Sequence, residues 1–155
     1  MNTHVAFPGT SGNEPAASAR QDATRFVAPL GRLFLAIIFV FASLGHFKPA
    51  EIAYAAQAGV PLASLAVPFS GILALVGGLS VLLGYRARIG AWLLVAFLVP
   101  VTLMMHKFWA VDDPMRAQME LVNFLKNVGL LGGALLVAYF GAGPLSLDAA
   151  REHRR

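Results

Sequence analysis

Four stretches, each on the order of twenty apolar residues long, leave this chain little choice of fold. The first runs from Phe26 to Phe47 and is interrupted by Pro29 and Arg32. The second, Leu62 to Gly84, and the third, Ile89 to Met105, contain no charge, and the fourth, Leu121 to Gly141, has Lys126 alone. Lipid cannot hydrogen-bond a bare backbone, so only helices and closed barrels cross a bilayer. No alternating strand pattern competes, and short connections favour antiparallel neighbours. The expected fold is therefore all-α, an integral membrane four-helix bundle running up-down-up-down. Composition agrees: the chain is 57% hydrophobic and only 13% charged, where soluble domains carry about 25% charge.

The residues around these stretches set the organisation. Residues 1–25 are small, polar and broken by Gly and Pro, which predicts a disordered cytoplasmic tail. Residues 26–143 form the membrane domain, and residues 144–155 a basic cytoplasmic tail. Arg20, Arg25, Arg86, Arg88, Arg151, Arg154 and Arg155 fall on one side, against Lys48, Lys107 and Arg116 on the other. The positive-inside rule then puts both termini and the Tyr85–Arg88 turn in the cytoplasm of a bacterial inner membrane. The connections Lys48–Pro61 and Lys107–Glu120 face outwards. With basic residues spread between spans in this way, the net charge of +4 has a topological explanation and implies no nucleic acid. Zero cysteine excludes dithiol redox pairs, thiolate nucleophiles and cysteine-held metal or Fe–S sites.

Polar groups in apolar spans are costly, so each asks for a reason. Arg32, Ala36, Phe39, Ser43 and His46 recur at helical spacing and share one face of the first helix, which should look into the bundle. Arg32 either belongs to that interior or snorkels to the inner head groups. His46 and His106 end the first and third spans on the outer side. Glu120, Asn123 and Asn127 form a stripe on the fourth helix, flanked by Lys126. Three readings fit the histidines: interfacial side chains bonded to water, donors to a quinone carbonyl, or a bis-His haem site. The second makes His46, His106, Asn123, Lys126 and Asn127 an outward-facing pocket for a quinone or phenol, with Arg32 and Glu120 as interior polar residues. No metal motif is present, and a non-covalently bound quinone is the one cofactor considered. Pro100 leaves the carbonyl of Ala96 without its helical donor, an acceptor in the outer half of the third helix.

The ordered set Leu30-Gly31-Arg32-Leu33, Gly45-His46-Phe47, Leu75-Val76-Gly77-Gly78-Leu79, Arg88-Ile89-Gly90-Ala91, His106-Lys107-Phe108-Trp109, Phe124-Leu125-Lys126-Asn127 and Gly143-Pro144-Leu145-Ser146-Leu147-Asp148 resembles the DoxX family of small bacterial four-helix membrane proteins. That resemblance implies a redox or oxidative-stress membrane subunit working with a partner enzyme, alone or as a homo-oligomer in the lipid bilayer. It departs from the family at Ala74, near a position where relatives often carry a glutamate. Whether the chain is itself catalytic stays open. A non-catalytic scaffold or assembly partner is the alternative, and a small-molecule permease a third.

Overall fold

A computed structural model describes residues 24–154. The tail expected at 1–25 lies outside the described residues as far as residue 23, as does Arg155. Every regular element among the described residues is helical. Helix α1, Val27–Ser43, continues as a 3-10 turn over Leu44–Phe47, and α2, Pro49–Gln57, follows at once. Helices α3, Ala63–Leu83, and α4, Ala87–Met105, form a hairpin, and α5, Pro114–Phe140, leads to the short α6, Leu147–Glu152.

Four of these runs are long and apolar enough to cross a membrane: Val27–Phe47, Ala63–Leu83, Ala87–Ala110 and Pro114–Phe140. Their outer faces leave Phe34, Phe41, Leu65 and Phe140 about two-thirds exposed or more, a surface that water would not tolerate and acyl chains cover. The chain is a multi-pass membrane protein. Proline at N1 and the Asp113 side chain, which accepts from the Arg116 amide, start α5. This helix begins seven residues before the apolar stretch does, and at about 40 Å it outreaches the hydrocarbon core. The connection Lys48–Pro61 contains α2, whose start is marked by Pro49 at N1 and Glu51 in its first turn.

Packing follows the order α1, α3, α4, α5, with α1 and α5 touching at few places. Glycines permit the close approaches. A β-carbon at Gly77 would lie 2.9 Å from the Gly90 carbonyl oxygen on α4, and one at Gly78 would lie 3.2 Å from the Phe39 β-carbon on α1. The core between them holds Ala36, Phe39, Ala74, Val81, Leu94 and Leu98.

The arginine-rich end is tied by the segment after α5. Gly84 ends α3 at φ 62, and Arg86 precedes α4 at φ 47, a left-handed conformation that costs a side-chain-bearing residue about 1 kcal/mol or more. The Asp148 carboxylate accepts from the amides of both Arg86 and Ala87, at 2.8 and 3.0 Å, and so caps α4. Asp148→Ala should lower stability by about 1–2 kcal/mol, read as the midpoint of thermal unfolding in detergent, with Asp148→Asn recovering part of the loss. Beside it Arg151 lies 4.3 Å over the Tyr85 ring. Its hydrogen bond and charge, helped by the charge of Arg86, hold the Tyr85 hydroxyl below the ordinary tyrosine value.

Candidate functional site

A cavity of about 570 Å³ lies between α1, α3 and α4, with α2 across its end. Its polar lining is at that end: His46 on the 3-10 turn, Glu51 in the first turn of α2, and Ser70 on α3. Its deeper wall is apolar, formed by Leu73, Ala96, Phe97, Pro100 and Val101 among others. Leu73 lies ten residues into α3, so the cavity reaches about 15 Å below the start of that helix, roughly half the hydrocarbon thickness.

The local sequence explains the space. Gly71 has no side chain, and a β-carbon there would stand 2.6 Å from the His46 β-carbon, so the glycine makes room for the imidazole beside α3. The His46 ring meets the edge of Phe97 at 5.5 Å between centroids. On the far side, Ile52 and Ala55 of α2 pack with Val60, Ala63, Val67 and Met105 and hold the short helix down. Lys107 reaches back to the Ala58 carbonyl at the C-terminus of α2, 3.2 Å away, where the helix dipole favours a cation.

The hydrogen bonds decide what the cavity presents. His46 Nδ1 is 3.0 Å from the Ala42 carbonyl oxygen. A carbonyl only accepts, so Nδ1 carries the proton, and in the neutral ring Nε2 is left as an acceptor. Ser70 donates its hydroxyl hydrogen to the Val67 carbonyl at 2.7 Å, keeping only lone pairs to offer. The Glu51 carboxylate accepts as well. Deeper in the wall, Pro100 leaves the Ala96 carbonyl without its helical donor, a further acceptor away from that end. The polar end of the cavity therefore offers acceptors.

The other residues expected at the pocket lie elsewhere. His106 Nδ1 pairs with Glu120 Oε2 at 2.7 Å, joining the end of α4 to α5. Lys126 is exposed and donates to the Asn123 side-chain oxygen at 3.0 Å, and Asn127 is buried on α5. Of the five, His46 alone lines this cavity. Arg32 is buried at the opposite end and donates to the Ala142 and Leu145 carbonyls, each at 2.7 Å. No group of three or more His, Asp or Glu side chains that could hold a metal gathers among the described residues. Sequence reasoning missed Glu51 and Ser70. Pro49 and Glu51, the signals of a helix start, are the available sign that the connection after the first span is built.

The chain belongs to the SURF4 family, whose model matches residues 8–153. It is 28% identical over 122 residues to inner membrane protein YphA of Escherichia coli, covering 79% of this chain and 86% of that protein. It is 26% identical over 84 residues to ER-derived vesicles protein ERV29 of Saccharomyces cerevisiae, and 30% over 77 residues to Surfeit locus protein 4 homolog of Drosophila melanogaster. Each of these two matches spans 27% of the longer eukaryotic protein. No solved structure matches. The DoxX resemblance is corrected by this family match. Its short runs of Gly, Leu and Phe are what any closely packed membrane helices carry.

Proposed function

We propose that this SURF4-family membrane protein binds a small amphiphile whose polar end donates hydrogen bonds. The observation that carries this reading is the cavity beside His46. Its side-chain acceptors gather at the membrane boundary, and its largely apolar wall, with the Ala96 carbonyl, runs towards mid-membrane. A hydroxyl or amine head would satisfy His46 Nε2 and the Glu51 carboxylate while its hydrocarbon body filled the space along Leu73 and Phe97. Among ring compounds this favours a phenol or a reduced quinol. A quinone carbonyl also accepts, and finds no donor in a neutral His46. The role is one of binding, and any electron transfer would need a partner. We further propose a bacterial inner-membrane location with both termini in the cytoplasm. Arg86, Arg88 and Arg151 at one end support the orientation through the positive-inside rule, and the name of the Escherichia coli relative supports the inner-membrane location alone.

Purified protein titrated with 4-hexylphenol should unfold at a higher temperature, because a ligand bound to the native state stabilises it by mass action. The methyl ether 4-hexylanisole, which cannot donate, should bind about five- to tenfold more weakly. In His46→Ala the phenol should lose that advantage. Equal shifts from the two probes, or an unchanged preference in His46→Ala, would reject the assignment.

A further inference from the structure

A second crevice lies at the opposite end of the molecule, between α6 and the start of α4, with a volume of about 670 Å³. Arg86, Arg88 and Arg151 line it, as do the backbone turn Gly141–Gly143 and the apolar side chains Ile89 and Phe140. Two acids face the same space, Asp148 and Glu152. The Asp148 carboxylate is already engaged by two backbone amides, which leaves Glu152 against three guanidinium groups. Arg88 rests on Gly141, where a β-carbon would lie 3.3 Å from its Nε. Among the described residues the Arg88 side chain makes no hydrogen bond or ion pair, so its five donors are uncommitted. Arg86 and Arg151 are turned to the Tyr85 ring.

The apolar part of the lining decides between a dissolved anion and a lipid. Ile89 is 56% exposed in the first turn of α4, and Phe140 is 71% exposed as the last residue of α5. Both stand where their spans leave the hydrocarbon. The crevice thus joins a guanidinium cluster, with Arg88 its uncommitted member, to an acyl-facing surface within one space. A phosphate diester takes forked hydrogen bonds from arginine, and its acyl chains would lie along Ile89 and Phe140. We propose that this crevice binds the phosphate head group of an anionic membrane lipid. The assignment is independent of the ligand at the His46 cavity.

Native mass spectrometry of the full chain in mild detergent tests it, with phosphatidylglycerol, phosphatidylcholine and inorganic phosphate added separately. Phosphatidylglycerol should be retained at least about tenfold better than phosphatidylcholine. Arg88→Gln should weaken it about fivefold, and the Arg88→Gln, Arg151→Gln pair roughly twentyfold. Arg116→Gln, at the other end of α5, should change nothing. The single Arg88 variant has no internal bond to lose, so it reads binding even if the pair folds poorly. Equal retention of the two lipids, or unaltered retention in Arg88→Gln, would overturn the proposal. Inorganic phosphate binding as well as the lipid would also overturn it, by assigning the crevice to a free anion.

Discussion

Gly77→Leu is expected to separate α3 from α4 and to cost about 3 kcal/mol or more, the upper range for overpacking. The contact that forbids it is backbone: a β-carbon at Gly77 would sit 2.9 Å from the Gly90 carbonyl oxygen and 2.9 Å from Leu94 Cδ2. Leu94 can rotate, but the carbonyl belongs to the first turn of a helix and moves only with it. Even Gly77→Ala should destabilise, although alanine removes a helix-propensity penalty of up to about 1 kcal/mol. The control is on α5. Nothing lies within 4 Å of a β-carbon at Gly129 or Gly132, so alanine at either should be neutral or stabilising by up to about 1 kcal/mol. Denaturation in mixed detergent micelles, followed by helix content, measures all four variants. A Gly77→Leu protein as stable as Gly129→Ala would mean that α3 and α4 do not meet at this glycine.

That contrast shows what a linear pattern can and cannot reveal. Apolar length identifies the spans because lipid leaves the backbone no alternative to helix. Spacing identifies a face: Arg32, Ala36, Phe39 and Ser43 are the buried residues of α1. Neither identifies which neighbour the face meets. His46 and His106 both end spans on the same side, and Asn123, Lys126 and Asn127 lie near that depth, so a single pocket is the economical reading of the sequence. In the structure α1 packs on α3 while α5 packs on α4, and the α1–α5 seam that would have joined these groups hardly exists. His46 consequently looks into a space walled by α3, and His106 finds Glu120 instead.

The ends of the spans were harder to read for a different reason. Hydropathy marks where lipid stops, and capping chemistry marks where helix stops. The two differ by two turns at the start of α5, where Asp113 and Pro114 begin a helix still outside the apolar stretch. Helix α6 is six residues long, too short for periodicity to register. Its local sign is Ser146, whose hydroxyl accepts from the Ala149 amide. Its partners, Gly84, Arg86 and Ala87, lie some sixty residues away in the chain and are visible only in three dimensions.

Arg32→Met should release this C-terminal segment, at a cost of about 3 kcal/mol for two lost hydrogen bonds from a charged donor. Methionine fills much of the same volume, so the loss reads the guanidinium and not a void. Arg32 is 4% exposed, and its two terminal nitrogens go to carbonyls three residues apart, Ala142 and Leu145. Those carbonyls close the turn between α5 and α6. With the fork gone, the turn has two bare acceptors at a site too tight to admit water easily: a β-carbon on Gly84 would lie only 2.7 Å from the Arg32 terminal nitrogen Nη1. Lysine, a single point charge, cannot reach both oxygens and should recover less than half of the loss. The effect should travel further than the contact. Asp148 caps α4 and its own amide donates to Gly84 at 2.8 Å, so an unseated turn takes the cap with it. Hydrogen exchange at the Asp148 and Ala150 amides separates the possibilities. Loss of protection in Arg32→Met with α3 and α4 still protected is the expected pattern. Full protection there would mean that the arginine fork does not hold the turn, and that the segment after α5 is held by its own caps.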